Sequence, residues 1–259
     1  MARDYLNYVV EEGIVLVTIN HPPVNALDQK AVLELGEVFD ELEKKPEAKI
    51  IILTGAGDKA FIAGADITVF SGLDKQAAEK FALSIQSVLS KMEESRKVVI
   101  CAINGLALGG GCEVAMACDI RIASENATFA FPEVKLGLMP GFGGTQLLPR
   151  LIGTGRAKYM ILSGEMLTAN EAHQFGLVEK VCHLEDLMEE VTALAKKIAG
   201  NGPLAARACK RAIDAGMELP LSKALLLELE EYDRVARSGD AEEGIAAFLE
   251  KRKPNFRGR

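Results

Sequence analysis

The run VVICAINGLALGGGCEVAMACDIRIASENATFAFPE, from Val98 to Glu133, decides how this chain folds. Val98 to Ile103 is an apolar, β-branched run of strand length. Asn104-Gly105 punctuates it, Gly109 to Gly111 follow, and Cys112 to Ala117 has the composition of a buried helix start. Val98 to Cys118 is also long and apolar enough to suggest a membrane span. Asn104, the glycines and Glu113 exclude that, because hydrocarbon satisfies neither a broken backbone nor a carboxylate. Strand, glycine turn, helix is the parse that remains.

Glycines at a helix start let a ligand approach backbone N–H groups, and the helix dipole adds partial positive charge there. The anion so held is either a phosphate or an oxyanion formed during a reaction. Glu113 lies within one turn of those donors. Glu133 follows a second strand-like piece, Asp119 to Ala123, and stands directly behind Pro132. Two carboxylates and an N–H cradle make an acid/base site.

Outward from this stretch, the chain alternates strands and helices. Val15 to Asn20 is a short strand, broken by His21-Pro22-Pro23. Asp28 opens a helix whose apolar positions are Val32, Leu35, Val38, Phe39 and Leu42. Asn25, just before it, is by composition a turn residue. Ile50 to Leu53 is a strand buried on both faces. Gly55-Ala56-Gly57-Asp58-Lys59-Ala60 matches the dinucleotide pattern G-x-G-x-x-A, but extended Phe61 to Gly64 follows where a Rossmann unit needs a helix. The dinucleotide reading is rejected. Ser71 to Ser95 is a helix with Phe81, Ile85, Val88, Leu89 and Met92 on its inner stripe. After Glu133, a Pro140-Gly141-Phe142-Gly143-Gly144 loop leads to helices over 146–152 and 156–163. A short helix from Ala169 stops at Gly176, and Leu177 to Val181 reads as a last strand. From Leu184 on, the pattern is helical, which marks a boundary between a core of 1–183 and a helical region of 184–259.

At 259 residues the chain has room for one large domain or a main domain with an appendage. A net charge of −7 argues against a nucleic-acid partner but leaves room for a phosphorylated ligand held by a local basic cluster. Five cysteines, with strand-like sequence starting right after Asp4, predict reduced thiols and a cytoplasmic protein. The three histidines stand at no metal-ligand spacing from a cysteine, so no metal site is expected.

NGLALGGGCEVAMACD followed by FPEVKLGLMPGFGGT resembles the signature region of the crotonase superfamily, and within it the enoyl-CoA hydratases. The likeness runs nearly end to end, through Val24 to Leu27, Ala60 to Ile67 and Ala247 to Phe256. It departs at Thr68-Val69-Phe70, at Phe131 before Pro132 and at Leu147, where a Lys-Glu-Met type run, a polar residue and an arginine are frequent.

What the resemblance implies is specific. The fold is α/β, a spiral of repeated ββα units with a C-terminal all-helical oligomerisation region. The activity is reversible addition of water to a trans-2-enoyl-CoA, with Glu113 activating water and Glu133 donating a proton. Ala65 and Gly110 supply oxyanion-hole N–H groups. Asn25, Ala26, Ala63, Gly64, Asp66 and Ile67 border the coenzyme A pocket, while Phe248 and Lys251 reach the adenosine end of coenzyme A on a neighbouring subunit. Coenzyme A is part of the acyl-CoA substrate and no other cofactor is implied. The expected assembly is a homohexamer, a dimer of trimers. An isomerase of the same fold would work with one shuttling base, and keeping both glutamates argues against it. A silent acyl-CoA-binding relative or an RNA-binding one is the other alternative, the latter disfavoured by the acidic charge.

Overall fold

Strands β2 (Ile14–Ile19), β3 (Ile50–Gly55), β5 (Val98–Ile103), β7 (Ile120–Ser124) and β10 (Lys180–Cys182) lie parallel in one sheet, and β1 (Leu6–Glu11) pairs antiparallel with β2 at its edge. The computed structural model of the chain describes residues 3–66 and 75–259. β3 is buried along its whole length, as an unbroken apolar run covered on both faces must be. β1 carries the exposed edge.

A second sheet is built from pieces of two or three residues: β4 (Ala60–Ile62), β6 (Leu106–Leu108), β8 (Thr128–Ala130) and β9 (Leu167–Thr168). Each passage from the large sheet to the small one is a tight corner: β3 to β4, β5 to β6, β7 to β8. Helices α1 (Gln29–Glu43), α2 (Lys75–Glu93) and α3 (Gly110–Met116) follow β2, β4 and β6, so the chain winds as a spiral of ββα turns. That is the architecture the resemblance implied.

Asparagine side chains lace the corners together. Asn104 Nδ2 donates to the carbonyls of Gly55 (2.9 Å) and Gly57 (2.7 Å), and its Oδ1 accepts from Gly55 N–H at 3.2 Å. Asn126 Nδ2 donates to Asp58 O and Asn104 O on the next turn. The buried Asn104 amide, with this many partners, fixes the spacing of successive turns, and the exposed Asn126 adds to it. Gly105 is required where the corners meet, because a Cβ there would stand 2.4 Å from the Lys59 carbonyl oxygen.

The main core lies between the large sheet, α1, α2 and the small sheet, with Phe61, Phe129 and Phe131 fully buried. Every position of the two helical stripes read from sequence is buried: Val32, Leu35, Val38, Phe39 and Leu42 on α1, and Phe81, Ile85, Val88, Leu89 and Met92 on α2. The first part of the helix expected over 71–95 lies outside the described residues.

The strand expected over 177–181 begins later, at Lys180. Gly176 takes a left-handed φ of +85° and closes α6 (Ala169–Phe175), with Leu177 N–H bonded to Ala172 O and Gly176 N–H to His173 O. Residues 176 and 177 are spent on the helix cap, which shortens the strand. α7 (Leu187–Ala199) covers the other face of the large sheet, where Leu187, Val191 and Ala195 pack on Ile50, Ile52, Ile100 and Ile122. The helical stretch from 184 therefore starts as a layer of the core. α8 (Pro203–Met217), α9 (Leu221–Ala236) and α10 (Gly239–Leu249) follow; among the described elements α8 packs chiefly on α9. Lys210 ties α8 to the core by bonding Asp119 Oδ2 at 2.9 Å and Lys97 O at 3.2 Å.

Candidate active site

The small sheet aims three segments at one place. β4, β6 and β8 are parallel neighbours, so the residues leaving their ends emerge side by side. Ala65 follows β4, Gly110 and Glu113 follow β6, and Glu133 follows β8.

Ala65 forms a parallel bridge with Leu27: Leu27 N–H donates to Gly64 O (2.9 Å) and Asp66 N–H to Leu27 O (2.9 Å). In such a bridge Ala65 turns its own N–H to the opposite side. Gly110 is the first residue of α3, so its N–H has no acceptor within the helix. Gly109 before it takes φ +48° and accepts from Glu113 N–H at 3.1 Å. A Cβ on Gly109 would stand 2.2 Å from Glu133 Oε1, so that carboxylate lies directly on the glycine turn. A Cβ on Gly111 would stand 2.0 Å from Ile62 O; glycine there lets α3 sit against β4.

Glu113 is 0 % exposed. Its Oε1 accepts from Phe142 N–H at 2.9 Å and Gly144 N–H at 2.7 Å, which leaves Oε2 buried with no partner among the described residues. Gly144 must be glycine, since a Cβ would stand 2.8 Å from the Phe131 ring and 2.9 Å from Glu113 Oε1. Burial pushes the Glu113 carboxyl up to about 7, against the pull of the two N–H donors, and the nearby Glu133 adds to the rise. Glu133 sits in a 3₁₀ turn, Pro132–Leu136, ended by left-handed Gly137. Burial raises its carboxyl too, and its Oε2 is likewise buried and partnerless.

The structure thus brings Glu113, Glu133, Ala65 and Gly110 to one set of neighbouring strand ends. The backbone donors of Phe142 and Gly144 were not singled out from sequence, although the Pro-Gly-Phe-Gly-Gly run that supplies them was visible. The Phe142 ring lies 3.3 Å from where a Gly110 Cβ would be and edge-on to Phe81, with centroids 5.9 Å apart. It walls the space in front of the Gly110 N–H.

Among the positions expected to border coenzyme A, residues 24–27 and 63–66 are zipped to each other, with Ala63 N–H on Val24 O at 3.1 Å, and His21 Nδ1 lies 2.7 Å from Ala26 O. Asn25, buried and at φ +56°, spends its side chain on this structure: Oδ1 accepts from His21 N–H, and Nδ2 donates to Ala56 O and Ala60 O. It is a corner residue like Asn104. Ile67 lies outside the described residues. Phe248 is 83 % exposed on α10, and Lys251 stands just beyond it at φ +55°. Neither is gathered with the buried pair in the single chain. Among the described residues no group of histidines, cysteines and carboxylates has the arrangement of a metal site.

Fold and site together set two carboxyl groups beside backbone N–H groups that the local ladder and helix leave free. The sequence model of the family described as Enoyl-CoA hydratase/isomerase matches residues 10–259. The crotonyl-CoA hydratase of Syntrophomonas wolfei subsp. wolfei is 43 % identical over 99 % of this chain and 99 % of its own length. The short-chain-enoyl-CoA hydratase of Clostridium acetobutylicum is 44 % identical over 96 % and 97 %. The crystal structure of an enoyl-CoA hydratase from Bacillus anthracis superposes with a TM-score of 0.96 at 39 % identity, covering 99 % of this chain and 100 % of that one. The chain belongs to the enoyl-CoA hydratase/isomerase family, within the crotonase superfamily.

One stability prediction follows from Glu113. Its folded pKa, about 7, is above the ordinary value of 4.5, so between those values the folded state binds the extra proton. Stability therefore falls as pH rises through this window and stays reduced above it, by up to a few kcal/mol. Glu113→Gln keeps an oxygen for the two N–H donors and removes the charge. It should raise the melting temperature at pH 8 and lose that advantage by pH 4. An equal difference at both pH values would show that Glu113 is not held protonated by its surroundings.

Proposed function

We propose that this chain adds water reversibly across the double bond of a trans-2-enoyl-CoA thioester, giving the 3-hydroxyacyl-CoA. One observation carries the reading. Two carboxyl groups, Glu113 buried and Glu133 half-buried, each keep a buried oxygen without a partner among the described residues, beside backbone N–H groups that the fold turns away from its own ladder.

In this mechanism Glu113 takes a proton from water and the oxygen attacks the β-carbon. Electrons move through the double bond to the thioester oxygen, and the resulting enolate rests on the Ala65 and Gly110 N–H groups. Glu133 delivers a proton to the α-carbon. The N–H donors on Oε1 hold the Glu113 carboxyl so that Oε2 is the free base. The short-chain names of the two relatives support a short acyl chain, and Phe142 beside Gly110 supports a walled pocket. Asn25, Ala26, Ala63, Gly64, Asp66 and Ile67 form the coenzyme A border in this reading, Asn25 through its backbone.

The assembly belongs to the same reading: of the expected division into 1–183 and 184–259, α7 joins the core, α8 to α10 make the oligomerisation region, and the chain forms a hexamer of two trimers. Support comes from the apolar side chains that α8 to α10 leave exposed, with Met217 and Leu221 at 75 %, Leu229 at 61 % and Leu249 at 74 %. Such a face needs a cover. Phe248 and Lys251 then serve a neighbour's coenzyme A, ring against adenine and ammonium near phosphate. A cytoplasmic location suits the five free cysteines. No helix among the described residues is long and apolar enough to cross a membrane.

The test is loss of crotonyl-CoA absorbance with the pure protein. Hydration gives a 3-hydroxy product; movement of the double bond in a 3-enoyl-CoA without hydration would make the chain an isomerase, and tight binding without turnover a silent relative. For the assembly, light scattering should report a hexamer, and a monomer would refute it. Phe248→Ala/Lys251→Ala should raise KM for acyl-CoA several-fold with little change in kcat. An unchanged KM would remove the tail from the substrate site.

A further inference from the structure

A cavity of about 530 Å³ lies at the start of β3 and β5, where Ile50 and Val98 form part of its lining. The carboxylate pair sits beyond the other ends of the turns, so the two places are separate. The 43–49 loop, the α7–α8 connection and the C-terminal tail close the cavity. Six cations line it: Lys44, Lys49, Arg96, Lys97, Arg207 and Arg257. Glu43 is the one carboxylate residue in the lining, and it pairs with Arg96. Among the described residues none of the other five has an ion-pair partner. On a chain of net charge −7, this concentration of unpaired positive charge is local and opposite in sign to the whole.

Lys97 is the half-buried cation of the six, and the other five stand exposed around the rim. Burial lowers the Lys97 ammonium from its ordinary pKa, and its Nζ finds only the Lys45 carbonyl at 3.0 Å. Burial, then the neighbouring Arg96 and Arg234 guanidinium groups, lower Arg207, with Glu43 acting against them. An anion would relieve both. The N-terminus of α8, a helix of 15 residues with no side-chain cap on Gly202, also opens here through Pro203 and Leu204. Apart from Asn201, the rest of the lining is apolar and includes the Phe256 ring, wedged near Gly202 and Gly244. A cationic rim over an apolar floor of this volume is the make-up of a small-molecule site.

We propose that this cavity is a second ligand site that takes a nucleoside diphosphate, its phosphates on the arginine and lysine rim and its base against Val98 and Phe256. The occupant bridges the core, the α7–α8 connection and the tail, so binding stiffens the attachment of the helical region. The site goes beyond hydration and stands whether or not the acyl-CoA reading does.

The test is calorimetry on the full chain with ADP, inorganic pyrophosphate and adenosine, all with 3-hydroxybutyryl-CoA present in excess so that any acyl-CoA site is filled. ADP should bind under those conditions, more tightly than pyrophosphate and far more tightly than adenosine. Arg207→Ala/Arg257→Ala should weaken ADP by ~10-fold or more, the scale of losing a charge-assisted bond. Circular dichroism checks its fold, and turnover without ADP should stay unchanged. Phe256→Ala, if folded, should bring ADP down to the level of pyrophosphate. No ADP binding in the presence of the acyl-CoA, equal affinity in the double arginine variant, or ADP no tighter than pyrophosphate would each overturn the proposal.

Discussion

Glu133→Gln is expected to keep the fold and thioester binding while lowering hydration turnover by ~10²–10⁴-fold, the scale of losing a positioned acid or base. The side chain lies against Gly109 with one oxygen buried and partnerless, so its removal takes away a group the fold itself does not use. The amide is close in size and has no acidic proton of useful pKa. Turnover should fall with the Kd for product little changed. Glu113→Gln should be comparably damaging, and the double variant should fall by less than the product of the two losses, because both groups act on one hydration event. The Glu133→Gln variant should also show turnover rising with pH through about 7, as the remaining base, Glu113, ionises. Near wild-type turnover by Glu133→Gln would remove it from the mechanism.

Gly110→Pro should cost ~10²–10³-fold in turnover, as expected for one lost oxyanion donor. The position is unusually suited to the test. Gly110 is the first residue of α3, where proline's fixed φ and missing N–H fit a helix start. Space is tight on one side, since a Cβ would meet the Phe142 ring at 3.3 Å, a contact that calls for a shift of a few tenths of an ångström, while Leu27 at 3.5 Å is in ordinary contact. A melting curve and circular dichroism must accompany the kinetics. A folded Gly110→Pro protein with full activity would show that the N–H is not used.

Much of this was legible in the sequence, and the reasons for the gaps are physical. The helical stripes of α1 and α2 and the apolar runs of β3 and β5 are long enough for a period to show. The strands of the small sheet are two or three residues each, too short for alternation to register, yet they align the site. The carboxylates and the glycine turn were readable as chemistry because glycines and a buried acid have few structural reasons to cluster. The donors that hold Glu113 were not, since a backbone N–H leaves no letter in a sequence. Asn25 was read as a turn residue from composition and as a pocket residue from resemblance. Its side chain serves the corner, and nothing in local pattern distinguishes those roles. The helical pattern after 184 was visible, but that α7 belongs to the core was not, because an amphipathic helix looks the same against a sheet or against another helix.

The asparagine lacing has a consequence for how the chain could be altered. The functional groups are divided among three turns of the spiral, and the turns are clamped at their corners, away from the carboxylates. Play between turns would appear as error in the separation of donor and acid, so the corners act as the datum edge from which the site is gauged. The segments beyond that edge can be rewritten one at a time, each changing the tools it carries without disturbing the alignment of the other segments. A scaffold divided in this way lets its reaction be changed while its geometry is inherited.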